Sequence, residues 1–245
     1  MKHSIKKRTV LFLTTILLAT TSYAQWGNSI KGNGNMKTIK RSTSEYDGIK
    51  CSGSFDFVLV SGTEGNITIE GEENLLEYIV TEIKNNNLIV KVKNGKNIKS
   101  SKNKTIKITI PFKDINKVSL AGSGDLWNKT PINSTDLNVS LAGSGDIVLN
   151  IEASSIKASI AGSGDIKLKG NTNNLKASIS GSGDFHGLEL QSSNTEVSVT
   201  GSGDAKVVST DNLKARVAGS GDIVYKGNPE REDTKVAGSG SISTY

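Results

Sequence analysis

Ile156-Lys157-Ala158-Ser159-Ile160-Ala161-Gly162-Ser163-Gly164-Asp165-Ile166-Lys167-Leu168 is the stretch from which the fold can be read. Ile156, Ala158, Ile160, Gly162, Gly164, Ile166 and Leu168 share one parity, and Lys157, Ser159, Ala161, Ser163, Asp165 and Lys167 share the other. Successive residues of a strand face opposite sides, so the first set is predicted to point inward and the second outward. The two glycines fall on the inward parity, where a side chain would not fit or the backbone needs unusual dihedrals. They read as a corner or tight waist of a coil.

The phrase Gly-Ser-Gly-Asp recurs at Gly122–Asp125, Gly143–Asp146, Gly162–Asp165, Gly181–Asp184, Gly201–Asp204 and Gly219–Asp222, and a seventh copy, Gly238–Ser241, has lost its Asp. First glycine to first glycine, the spacings are 21, 19, 19, 20, 18 and 19 residues, the signature of a repeat architecture. A unit of that length with short strands and no room for a helix cannot bury its apolar face alone, whereas stacked copies bury a continuous core. The prediction is an all-β fold: a parallel β-helix-like solenoid with coils of about 19 residues, equivalent residues lying about 4.8 Å apart. The Asp-less copy ending at Tyr245 reads as a terminal capping coil.

Upstream, the pattern loosens. Residues 1–24 have a basic start at Lys2, Lys6, Lys7 and Arg8, an apolar run from Val10, and Ser22-Tyr23-Ala24 before a predicted cut, the three parts of a secretory signal. That run is short for a membrane span, and no later stretch approaches the roughly 20 apolar residues such a helix needs. Setting the signal aside removes four basic residues and no acidic ones, leaving 26 against 24, a net charge of +2 on 221 residues. So small an excess argues against a nucleic-acid partner. Residues 25–42 show no apolar period and are expected to form a flexible leader. Residues 43–114 are read as a degenerate N-terminal portion of the solenoid, irregular and β-rich, and 115–245 as its regular part. Within the former, residues 48–60 resemble a copy of the phrase with Phe55 in place of the second glycine, and residues 72–77 suit one helical turn. Cys51 is the only cysteine, which excludes an internal disulfide; it is expected to be a small buried residue.

Stacking would place Asp125, Asp146, Asp165, Asp184, Asp204 and Asp222 in a ladder of like charges. Two readings of it stand. Each Asp caps its own turn by accepting nearby backbone N–H groups or the hydroxyl of the Ser two residues earlier, or the ladder binds calcium through carboxylate oxygens. The calcium-binding nonapeptide repeat has a different period and glycine pattern, so no cofactor is otherwise indicated. Lys93, Lys96, Lys99, Lys102 and Lys104 lie in a stretch without acidic residues. That stretch is either a solvated hairpin loop or a contact for anionic glycan or phospholipid headgroups. Catalysis is not expected: six near-identical carboxylates offer no pair held at different pKa values. His186, the sole histidine after the signal, falls on an outward parity with no partner visible in the sequence.

Tyr46-Asp47-Gly48-Ile49, the segment from Val60 to Leu76, Leu88-Ile89-Val90-Lys91-Val92 and the serial Ala-Gly-Ser-Gly-Asp phrases together resemble the putative auto-transporter adhesin family with the head GIN domain. The resemblance covers roughly residues 40–245. It implies an exported bacterial protein, in the periplasm, on the outer surface or outside the cell, with a right-handed parallel β-helix-like fold and a role in adhesion. It carries over no catalytic residues, and nothing in the chain resembles a membrane-spanning translocator barrel. The expected function is a non-enzymatic, adhesin-like or envelope-associated binding module for a glycan or surface component. A protein that binds or cleaves acidic polysaccharide, of pectin-lyase-like shape, and a structural envelope protein are the alternatives.

Overall fold

Alternation carried through the glycines builds a stacked parallel β-solenoid of about seven turns, with 67% of the described residues in strands and 2% in helix. The computed structural model describes residues 29–245; the predicted signal, residues 1–24, lies outside them. Long strands Ile132–Gly143, Ile147–Gly162, Ile166–Gly181 and Phe185–Gly201 pair in parallel, each with the next. Equivalent residues are register partners: Ile160 lies between Leu141 and Ile179. One buried column runs Cys51, Leu120, Leu141, Ile160, Ile179, Val199 and Val217. Another runs Phe57, Leu126, Ile147, Ile166, Phe185, Ala205 and Ile223. Burying each Leu or Ile contributes about 1.5–3 kcal/mol, and stacking repeats that gain in every coil. Cys51 occupies a core position as a small apolar residue, and its burial pushes the thiol pKa well up.

The glycines have two separate reasons. Gly162 has φ +135°, a conformation L side chains rarely adopt. Gly164 does not, but a Cβ there would stand 2.0 Å from the Gly145 carbonyl oxygen of the preceding coil. At this corner the backbones touch: the Gly143 carbonyl accepts the N–H groups of both Ser163 and Gly164, at 2.9 and 3.0 Å. Departures from 19 residues are local. The 20-residue coil contains a register shift opposite Lys167 and Lys169, where His186-Gly187-Leu188-Glu189 carries one extra residue, a β-bulge.

The stacking order differs from the chain order at the N-terminal end. Gly48–Gly53 and Asp56–Ser61 form a coil that stacks directly on Lys117–Gly122 and Leu126–Asn128. On the far side of that coil lie Asn87–Val92 and Lys107–Phe112, parallel to it. The in-register stack therefore includes residues well before 115. The pairing then turns antiparallel, through Ile79–Lys84 on Asn87–Val92 and Asn66–Glu72 on Lys107–Phe112, which closes the end. A one-turn helix, Glu73–Leu76, sits where one was expected, and Arg41 donates to its Leu76 carbonyl at 2.8 Å and to the Ile79 carbonyl.

The flexible leader expected over residues 25–42 is corrected where the structure describes it; residues 25–28 lie outside the described residues. Ile30–Lys31 pairs with Ile98–Lys99, and Met36–Ser42 is a seven-residue strand antiparallel to Asn66–Glu72. Of its side chains only Ile39 and Arg41 are partly buried, so the strand is held by backbone pairing and leaves almost no apolar period in the sequence. At the other end, Arg231–Gly238 is exposed throughout, with Glu232 and Thr234 where the preceding coil has Leu213 and Ala215. Tyr225 donates its hydroxyl to Glu232 at 2.9 Å, so the last coil ends the core with polar groups.

Candidate functional site

The outward residue after the glycine corner is the Asp, and its carboxylate bonds upward in the stack. Oδ1 of Asp125 accepts the N–H of Asp146 at 3.2 Å, and Oδ1 of Asp146 that of Asp165 at 3.0 Å. Oδ1 of Asp165, Asp184 and Asp204 accepts the N–H of Asp184, Asp204 and Asp222, each at 2.8 Å. Asp222 accepts both the N–H and the hydroxyl of Ser241, at 2.7 and 2.9 Å. Each carboxylate thus caps the next coil, whereas the capping reading of the sequence, one of the two left open, placed the bond within its own turn. The second oxygen of each has no backbone donor among the described residues.

The ladder has a member the sequence reading passed over. Asp56 precedes Phe57, the register partner of Leu126, and so aligns with Asp125. Burial, then the charge of Asp125, raise its pKa, while Lys107 opposes them. Lys107 is the register partner of Asp56, so the column of carboxylates begins on a cation and ends on Ser241. Gly53-Ser54-Phe55-Asp56 carries the signal, because only the second glycine of the phrase is replaced.

His186 lies two residues beyond Asp184, on the same outward side. Its Nε2 is 3.7 Å from Oδ2 of Asp165, and ligand atoms of Asp165, Asp184 and His186 all lie within 4.8 Å of one another. Its register partners on either side are Lys167 and Lys206. Lys167 is drawn to Glu189 at 2.6 Å. The histidine thus has a ladder carboxylate as its neighbour, a relation between coils that the sequence alone does not display.

The lysine-rich segment is not a simple hairpin. It joins Asn87–Val92 to Lys107–Phe112, the two strands that later coils connect through the glycine corner, so it is an enlarged corner at the end of the stack. Glu72 fixes it: the N–H and hydroxyl of Ser101 donate to Glu72 at 2.8 and 2.6 Å, and the Gly34 N–H donates at 2.6 Å. Burial pushes the Glu72 pKa up, but the Ser101 hydroxyl and amide, the Gly34 amide and the charge of Lys104 outweigh it and hold the pKa below 4.5. Lys96 Nζ lies 6.0 Å from the centre of the Tyr78 ring. Lys93, Lys96, Lys99, Lys102 and Lys104 make no salt bridge among the described residues, whereas Lys91 pairs with Glu82 at 3.3 Å. Glu72 had no local signature, since its partners are 29 to 38 residues away.

No helix among the described residues is long and apolar enough to cross a membrane. No curated protein matches the chain at a significant level. Among solved structures, a putative adhesin from Bacteroides fragilis is 23% identical, with 89% of this chain and all of that one covered and a TM-score of 0.81. Two proteins of Parabacteroides distasonis are each 28% identical. One, described as a putative lipid binding protein, aligns over 89% of this chain and 99% of its own with a TM-score of 0.74. The other, a putative adhesin, aligns over 89% and 100% with a TM-score of 0.71. The profile described as "Putative auto-transporter adhesin, head GIN domain" matches residues 45–229. With a match over that span and the glycine-cornered solenoid in place, the chain belongs to the putative auto-transporter adhesin, head GIN domain, family.

Proposed function

We propose that the protein is an exported, non-enzymatic, adhesin-like binding module of the cell envelope that engages anionic surface polymers or headgroups through Lys93, Lys96, Lys99, Lys102 and Lys104. The observation that carries this is the fixed corner itself: five cations without salt-bridge partners among the described residues, held in place by the Glu72–Ser101 bonds and the pairing of Ile30–Lys31 with Ile98–Lys99. Their field attracts phosphate, sulfate or carboxylate groups and weakens as salt rises. The family description and the adhesin neighbours support a binding role, and one neighbour carries a lipid-binding description. The signal-like pattern of residues 1–24 supports export to the periplasm, the outer surface or the medium.

The Asp ladder is read as structure rather than as a catalytic centre. Its carboxylates make one repeated bond to the next coil, and nothing in that pattern separates an acid from a base. Calcium at Asp125, Asp146, Asp165, Asp184, Asp204 or Asp222 would have to use the second oxygen of each, and a cation of that type takes six to eight oxygen ligands. The test of the main proposal is binding of the full chain to heparin and to phosphatidylglycerol vesicles, beside a Lys96→Glu/Lys99→Glu/Lys102→Glu variant. Binding that is lost in the variant and falls with salt is expected. Equal binding by both chains, or no binding to either probe, would overturn it.

A further inference from the structure

We infer that Trp127, with Val148, Asp125, Asp146 and Lys169, forms a subsite for a neutral hexopyranose unit of a glycan. These side chains line a cleft of about 390 Å³ on the outward side of the first and second coils of the regular repeat, with Lys169 reaching in from the third. That volume lies toward the lower end of the range for small-molecule sites, enough for a sugar ring or two.

The outward column through the cleft is unusual in its chemistry. Val58, Trp127 and Val148 are register partners in adjoining coils, and the column continues as Lys167, His186 and Lys206. In the three coils that follow, the position two residues beyond the ladder Asp carries Lys167, His186 or Lys206, and beyond Asp222 it is apolar again at Val224; here it is apolar in two adjoining coils, and Val148 is 41% exposed. Trp127 is only partly buried, and its indole N–H has no protein acceptor among the described residues. An aromatic ring with one wet edge suits a ligand that is apolar on one face and polar around its rim.

The surrounding charges choose among such ligands. Oδ1 of Asp125 and of Asp146 is taken by the N–H of the next coil, which fixes each carboxylate and leaves Oδ2 for hydroxyl donors. Lys169 supplies a donor on the same wall and makes no salt bridge among the described residues. An acidic sugar would bring its carboxylate against two carboxylates, and a cation would meet Lys169. A neutral pyranose stacks its C–H face on Trp127 and Val148 and donates its hydroxyls to the two Asp residues. Asn128 is committed to the fold through the Thr130 and Asn150 carbonyls.

The site rests on the binding-module reading but uses none of the lysine corner. In a Trp26→Phe background the remaining tryptophan fluorescence reports Trp127 alone. The full chain is titrated to millimolar concentration with oligosaccharides of α- and β-linked glucose, galactose and mannose. A saturable change is expected with at least one series. The apparent Kd, read by calorimetry, should weaken about tenfold or more in Trp127→Ala and in Asp146→Asn, and less in Trp127→Phe, where the ring is kept. Asp146→Asn retains the acceptor for Asp165 and so keeps the coil folded, which circular dichroism would verify. No response to any series, or unchanged affinity in Trp127→Ala and Asp146→Asn, would overturn the subsite. The triple lysine-to-glutamate variant should bind the same oligosaccharide unchanged, so that failure at the lysine corner is told apart from failure here.

Discussion

Replacing Asp204 separates the two forces that act on a ladder carboxylate. Its Oδ1 accepts the Asp222 N–H at 2.8 Å, and its neighbours along the column are Asp184 and Asp222. A hydrogen bond to a charged acceptor contributes about 1.5–3 kcal/mol, and a neutral one about 0.5–1.5. Against this, two like charges at the coil spacing cost close to 1 kcal/mol each in water. At physiological salt, where the screening length is about 8 Å, that repulsion is roughly halved. Asp204→Ala therefore loses the bond while relieving about 1 kcal/mol of repulsion, a net destabilisation of roughly 0.5–2 kcal/mol at physiological salt. Asp204→Asn keeps an acceptor and relieves the same repulsion, so it should fall within about 0.5 kcal/mol of the parent at that salt and be stabilised relative to it at low salt. Urea denaturation at low and high ionic strength, monitored by circular dichroism, measures both. Asn as damaging as Ala, or a parent whose stability does not rise when salt is added, would refute the balance between inter-coil bond and repulsion.

Other consequences can be checked with the same protein. Gly164→Ala forces a Cβ against a backbone carbonyl that cannot move without parting two coils, and should cost about 3 kcal/mol, whereas Ser163→Ala, an exposed change, should leave the midpoint unchanged. Glu72 has its pKa held below 4.5 in the folded chain, so its contribution is fully present above that pH and is lost as pH falls through the lower folded value. Glu72→Gln should flatten this acid limb of the stability curve and hasten proteolysis between Lys93 and Lys104 at neutral pH; an unchanged limb and digestion rate would count against the tie. Cys51, wholly buried with a raised pKa, should react with a thiol reagent only in denaturant, and rapid labelling of the native chain would contradict its place in the core.

Much of the regular stack was legible because its information is local. Alternation from Ile156 to Leu168 assigns faces without knowledge of any neighbour, and the copies repeat the same assignment. Even the bulge in the coil after Gly181 shows in the sequence, as the spacing of 20. The N-terminal part was less legible. Met36–Ser42 is defined by hydrogen bonds to Asn66–Glu72, and backbone pairing of an exposed strand leaves little mark on residue type. Residues 87–112 take their place beyond residues 48–61, so the order of the stack departs from the order of the chain. The lysine run is conspicuous as composition, but its position as an enlarged corner follows only from that order.

By itself, then, the sequence determined the repeat, the inward and outward faces, and the need for glycine at the corner, since period and side-chain size are properties of each coil. Only the tertiary structure decided what each outward group meets. The Asp carboxylate could bond within its own turn or to the next coil, and the close contact of glycine backbones brings the next coil's N–H within reach. The same stacking set Asp56 against Lys107, His186 against Asp165, and Trp127 between Val58 and Val148. These pairs join residues 21 to 69 positions apart, and it is register between coils, fixed by the buried columns, that brings them together.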